Sequence, residues 1–156
     1  MSEVRFGPVT AESIHYVADN MRAADVTEIY EFSGRKPIEA LEHAVTYSQR
    51  SAVVEIDGVP CAIFGVGDWG LLSDTGVPWM LGTEMVARNS RILLLVGEKK
   101  LNALTQGYRF LRNYVHDDNI KSKRWLARMG FVLHAPTPTG WRGAYFRKFE
   151  KSLAYV

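Results

Sequence analysis

Two apolar runs, SAVVEI and VPCAIFGVG, are separated by Asp57-Gly58 alone. A two-residue link of this kind joins strands into an antiparallel hairpin, because both residues accept the left-handed dihedrals of a tight turn that matches strand twist. Any fold open to this chain is therefore built around a sheet. The flanking segments carry a different period. Upstream, Val4-Arg5-Phe6 is expected as a short first strand. Thr10 then caps a helix whose Ile14, Val17, Ala18 and Met21 recur at i, i+3, i+4 and i+7. Val26 to Phe32 reads as a second helix ended by Ser33-Gly34. Pro37 opens a third, with Ile38, Leu41, Val45 and Ser48 on its inner face.

Downstream, GDWGLLSDTGV is a polar, glycine-rich loop. PWMLGTEMV follows as a strand, placed at an edge or beginning at its proline, because proline cannot donate to a ladder. ARNSRILLLVGEKKLNALTQ is helical, interrupted at Gly97, and YRFLRNYVH is a strand. After a further helix, Phe131 to His134 is a strand, Pro136 to Gly140 a turn-rich loop, and GAYFRKF the closing strand. Strand, helices, three-stranded meander, helix, strand, helix and strand pair make an α+β domain with a mixed sheet.

The 156 residues (1-156) are expected to form one domain, long enough to bury a core without staples. With 47% hydrophobic and 23% charged residues the composition is that of a globular protein. The longest apolar run, Ile92 to Val96, falls well short of the roughly 20 residues that span a bilayer. No signal peptide is visible in MSEVRFGPVT, and the lone Cys61 points to a reducing compartment. No partner role for membrane is expected. The net charge of +2 decides little, and the basic residues around Trp141, with no recognition motif beside them, read as a solvated rim rather than a nucleic-acid site. No histidine pair has metal-ligand spacing beside Cys61, and Gly65-Val66-Gly67 is a loop signal rather than a nucleotide site.

The segment NIKSKRWLARMGF, Asn119 to Phe131, carries most of the remaining information. Ser122, Trp125, Leu126 and Met129 share one helical face, and Lys121, Arg124 and Arg128 share another. Asp118 or Asn119 can cap its start. Gly130 can end it in the left-handed conformation, with Phe131 packed back on Leu126. Trp125 and Phe131 are expected in the core.

This segment, with the element order, resembles the GCN5-related N-acetyltransferase (GNAT) superfamily, whose asparagine-led helix ends in Gly-Phe. PWMLGTE, Arg88-Asn89-Ser90-Arg91, LRNYVHDDN and KRWLARMGF together resemble, more narrowly, a protein family encoded by short-tailed bacteriophages, whose members are named internal virion protein A or acetyltransferase-like protein, over about Glu12 to Leu133. The resemblance implies a three-layer fold with a central mixed sheet. The strand ending near Glu84 would lie parallel to Tyr108–His116, joined by the central helix.

Acetyl transfer to an amine needs an anion site for coenzyme A, donors for the oxyanion and a base. The superfamily's phosphate turn is glycine-rich, whereas Val86 to Ile92 contains no glycine. Arg88 and Arg91 can attract phosphate by charge, or simply form a basic helix start. The superfamily tyrosine falls at Leu126, which has no proton to give. Tyr114 or Tyr108 would have to substitute. Glu84 stands where the superfamily often has its carboxylate, and His116 ends the next strand; these are the candidate catalytic residues. Asn119 and Ser122, with Arg88 and Arg91, are the candidate cofactor-binding residues, and Asn119 also serves as a helix cap without any ligand. Two readings follow. One is a catalytically degenerate domain that binds a phage virion or host protein, in the host cytoplasm or the virion, with acetyl-CoA bound weakly or not at all. The other is an acetyl-CoA-dependent N-acetyltransferase acting on a protein or small amine. The glycine-free turn and the missing tyrosine favour the first.

Overall fold

A computed structural model describes residues 2–153. The Asp57-Gly58 hairpin is present, with both residues at positive φ (51° and 81°), joining β2 (Ser48–Ile56) to β3 (Val59–Asp68). β1 (Val4–Gly7) pairs antiparallel with β2, and β4 (Thr75–Gly82) with β3. Three helices precede the hairpin: α1 (Ala11–Asp19), α2 (Ala23–Ser33) and α3 (Pro37–Tyr47). Thr10 caps α1, its hydroxyl accepting from the Ser13 amide, and Gly34 ends α2 in the left-handed conformation.

After β4 the chain forms α4 (Glu84–Arg88), α5 (Ser90–Leu104), β5 (Phe110–His116) and α6 (Ile120–Arg128). It closes with β6 (Val132–Leu133), β7 (Thr137–Pro138) and β8 (Tyr145–Ser152). The sheet order is β1-β2-β3-β4-β5-β8-β6, with β7 also on β8. All neighbours are antiparallel except β4 and β5, which are parallel, as expected. One core cluster, around Val17, Leu41 and Ile63, lies beneath α1 and α3. The others bury Leu93 of α5 against Val54 and Ala62, and Leu104, Phe131 and Phe149 against Leu111. The result is an α+β, three-layer arrangement with a central mixed sheet. No helix among the described residues is long and apolar enough to cross a membrane.

Four details correct the sequence reading. The PWMLGTEMV strand starts earlier, at Thr75, and stops at Gly82. Thr83 then caps a helix, its hydroxyl accepting from the Met85 amide. Gly82 is required there, since a Cβ would meet Val86 at 2.5 Å and the Cys61 carbonyl at 3.1 Å. The helical stretch breaks at Asn89, not at Gly97, which α5 absorbs. Gly65-Val66-Gly67 lies inside β3, where a Cβ on Gly65 would sit 2.7 Å from the Arg50 carbonyl. Tyr108 precedes β5 and packs in the core, its hydroxyl donating to Asp68 at 2.5 Å.

Candidate active site

Pro78 sits neither at a sheet edge nor at a strand start, and the reason exposes the site. β4 and β5 pair only at Thr75–Phe110 and Gly76–Leu111, then diverge. Pro78 lies beyond the last pair. Its carbonyl accepts from Asn113 Nδ2 of β5 at 2.7 Å, so it faces β5. In a strand the N–H and C=O of one residue point to the same side. The N–H that proline lacks is therefore the one that would otherwise seek a partner on β5. Four residues on, Gly82 faces the same way, and α2 takes up both its groups. Its N–H donates to Asp25 Oδ2 (3.0 Å) and its C=O accepts from the Arg22 amide (2.8 Å). Met80, between them, presents its N–H and C=O to the gap.

A continuous cavity of ≈ 390 Å³ passes through the sheet at this gap. On the α2 and α3 side its walls include Ile29, Phe32, His43 and Trp79. On the α5 and α6 side they include Leu93, Gly97, Trp125 and Leu126. A second cavity, also ≈ 390 Å³, adjoins it between α5 and α6 and shares Met80, Ser122 and Trp125 with it. This groove is basic, lined by Arg22, Arg91, Lys121, Arg124 and Arg128. It also reaches the start of α5, where no side chain caps the first-turn amides; Asn89 Nδ2 instead donates back to the Met85 carbonyl. Uncapped amides at a helix N-terminus bind anions. Arg22 is 8% exposed, and its Nε is buried without a partner among the described residues.

Glu28 of α2, which the sequence analysis did not single out, is the carboxylate on the cavity wall. Its Oε1 accepts from the His116 amide (2.8 Å) and from Asn119 Nδ2 (3.3 Å). Oε2 takes no hydrogen bond among the described residues. Burial pushes its pKa up to about 7, with Asp25 adding to the rise and the two donors opposing it. Asp25, one turn earlier, is likewise raised by burial, against the pull of Arg22, whose Nη2 donates to it at 2.7 Å.

The expected site residues divide. Ser122 lines both cavities and accepts from Arg22 Nη2 at 3.1 Å. Arg91 lines the groove, whereas Arg88 is exposed and does not. Glu84 is exposed at the first turn of α4 and lines neither cavity. Asn119 is 5% exposed and committed internally: Oδ1 accepts from the Ser122 amide while Nδ2 holds Glu28. His116 Nδ1 accepts from the Asp118 amide, and its ring packs edge-on to Phe146. The glycine-free stretch Val86 to Ile92 is helical on both sides of Asn89. Of the two tyrosines weighed as acids, Tyr114 lines the cavity; Tyr108 is bound to Asp68 with its pKa raised to about 12, burial first among the causes.

No family model matches this sequence, and no curated protein does either. Solved structures do match. They include an acetyltransferase of the GNAT family from Streptococcus pneumoniae (14% identity, 97% of this chain and 100% of that one, TM-score 0.64). Another is yncA of Salmonella typhimurium with its cofactor acetyl-CoA (15%, 100% and 96%, 0.72). A third is Ard1 from Thermoplasma volcanium (15%, 97% and 99%, 0.72). The architecture is thus the GNAT, or acyl-CoA N-acyltransferase, fold. At these identities the likeness speaks for the fold. The narrower resemblance to phage internal virion proteins finds no support among these matches.

Proposed function

We propose that this protein is an acetyl-CoA-dependent N-acetyltransferase acting on an amine. The observation that carries the reading is the cavity through the sheet, with a basic groove at one end and the Glu28 carboxylate on its wall. The residues fit the cofactor. Arg91, Lys121, Arg124 and Arg128, with the open amides of α5, suit a pyrophosphate, and the apolar gap beside Trp125 suits the pantetheine arm. The buried, unpaired Nε of Arg22 adds a donor beside that groove.

When bound, acetyl-CoA supplies an acyl group activated as a thioester. Glu28, with a pKa near neutrality and Oε2 free, takes the proton of the amine. The Met80 N–H, fixed in the strand and facing the gap, is a preorganised donor for the oxygen on which charge develops. Phe32, Ile29 and Trp79 exclude water from the acceptor side. Tyr114 offers a hydroxyl on the same wall. Asn119 and the His116 amide hold Glu28 in place. The catalytically degenerate reading rested on the glycine-free turn and the missing tyrosine, and a helix end with uncapped amides weakens the first of these grounds.

The deciding experiment is calorimetric titration with acetyl-CoA, followed by thiol release across a panel of primary amines. Micromolar binding and turnover lost in Glu28→Gln are expected. Absence of binding at physiological salt overturns the proposal.

A further inference from the structure

Where the superfamily resemblance places a tyrosine, α6 carries Leu126, and the sulfur that leaves in acyl transfer has no partner assigned to it. A departing thiolate is an anion. Its sulfur and the carbonyl oxygen are bonded to one carbon, so the groups that stabilise them must stand close together. The Met80 N–H marks the place for the oxygen. Met80, Val86, Leu93, Ser122 and Trp125 line both cavities, which puts them where the gap meets the basic groove. Ser122 is the one hydroxyl among the five. It lies one helical turn before Leu126, on the same face of α6. Tyr114 lines the gap but not the groove.

A buried cation stands behind this hydroxyl. Arg22 Nη2 donates to Ser122 Oγ at 3.1 Å as well as to Asp25 Oδ1 at 2.7 Å. A hydroxyl that accepts from a guanidinium still has its own hydrogen to give. A helical serine often returns that hydrogen to the carbonyl four residues back. Ser122 does not: among the described residues its Oγ makes no hydrogen bond as a donor. The Arg22 charge also draws density from the oxygen, which strengthens whatever bond the hydrogen makes.

We propose that Ser122, polarised by Arg22, is the hydrogen-bond donor to the departing CoA thiolate, acting from one turn upstream of the position that Leu126 leaves empty of chemistry. The proposal rests on the acetyltransferase reading of the site and adds a catalytic residue to it, with Arg22 as the positioning residue. The amine nitrogen bonds to the carbonyl carbon, and its proton goes to Glu28. The C–S bond breaks with its electron pair on sulfur. Ser122 donates to that anion and keeps its own proton. Solvent then protonates the thiolate, and Glu28 returns its proton to solvent. A thioester sulfur is a weak acceptor and a thiolate a strong one, so the bond tightens as the reaction proceeds, which is what accelerates a step.

The charged groups near the junction are Arg22, Asp25 and Glu28 from α2 and its start, Arg91 from α5, and Lys121, Arg124 and Arg128 from α6. All of them act on a bound thiolate, so the test removes a hydroxyl and no charge. The full chain is titrated calorimetrically with CoA, S-methyl-CoA and acetyl-CoA from about pH 7 to about pH 10, across the ordinary thiol range. S-methyl-CoA has no thiol to ionise and cancels the titration of the protein's own groups. In the parent, affinity for CoA relative to S-methyl-CoA should climb with pH, because a thiolate stabilised in the complex ionises at lower pH than the free thiol. Ser122→Ala should lose roughly tenfold to a hundredfold of that climb and bind acetyl-CoA as the parent does. Ser122→Thr, which keeps the hydroxyl, should keep the climb, and thermal melts confirm that the variants fold. No climb in the parent, a climb that Ser122→Ala leaves intact, or one lost in Tyr114→Phe instead overturns the inference. So does an equal loss of affinity for all three ligands in Ser122→Ala, the mark of a residue that only holds the cofactor. In each of these cases acetyl-CoA still binds the parent and the transferase reading stands. If none of the three ligands binds the parent, both are overturned.

Discussion

Asn113 reaches across the gap from β5 and donates to the Pro78 carbonyl of β4 at 2.7 Å, the side-chain bond that spans the strands where their ladder has ended. Without it the carbonyl would face the cavity unpaired. Asn113→Ala is expected to cost about 1–3 kcal/mol in urea denaturation. Asn102→Ala, on the exposed side of α5, is the reference. Equal losses in the two variants would show that the brace is idle.

Glu28 gives opposite pH dependences for rate and stability. Its carboxyl titrates near 7 in the fold against an ordinary 4.5, chiefly through burial. The base must be deprotonated, so turnover should rise with pH through about 7. A folded pKa above the unfolded one means that the protonated form favours the fold. That contribution is complete below about 4.5 and is lost as pH rises through about 7. Glu28→Gln, which mimics the protonated acid, should lose roughly 10²–10⁴-fold in rate and keep its Tm across the window in which the parent's declines. An undiminished rate would remove Glu28 as the base.

Arg91 and Arg128 flank the groove from α5 and α6. Alanine at either should weaken acetyl-CoA binding by roughly two- to fivefold at low salt, with the difference shrinking as salt is raised, because both act partly through solvent. Lys99→Ala, exposed on α5 and outside the groove, controls for net charge. A loss that persists undiminished in high salt would contradict the electrostatic account.

Phe131 and Trp125 were expected in one core, and the structure separates them. Phe131 is 5% exposed and stacks edge-on with Phe149, whereas Trp125 is half-buried and forms a wall of both cavities. Phe131→Ala should cost about 3–5 kcal/mol. Trp125→Ala should cost distinctly less and instead weaken acetyl-CoA binding. Melting curves and a titration on the same samples separate the two; equal destabilisation would return Trp125 to the core.

The hairpin and the caps were legible in the sequence because each rests on local chemistry: Asp57-Gly58 for the turn, Thr10 and Asn119 for helix starts, Gly34 and Gly130 for helix ends; the parallel strand pair, joining residues far apart in the chain, came only with the family resemblance. Glu28 was not. On a helix, Arg22, Asp25 and Glu28 are three residues apart and resemble any solvated charged stripe. Only the sheet, which lays this stripe against Gly82 and the end of β5, turns it inward. A charged face directly abutting Ile29 and Phe32 was the available signal. Glu84 lies where the sequence did not suggest, for the opposite reason. Its place after PWMLGT looked like a strand end, but the chain turns into a helix one residue earlier and carries it to the surface.

The two-pair seam between β4 and β5 also has a mechanical meaning. β5 grips β8 through seven residue pairs, and β4 grips β3 through as many. Across the gap run two pairs and one side chain, and α2 clasps both strands at the open end, holding Gly82 of β4 through Arg22 and Asp25 and the His116 amide of β5 through Glu28. Each half of the sheet is therefore stiff, and the compliance of the whole is concentrated along one line, the line that holds the cavity. A load placed there, such as a guest slightly too wide, works against the α2 clasp and the two-pair seam at Thr75 and Gly76 before it distorts either plate.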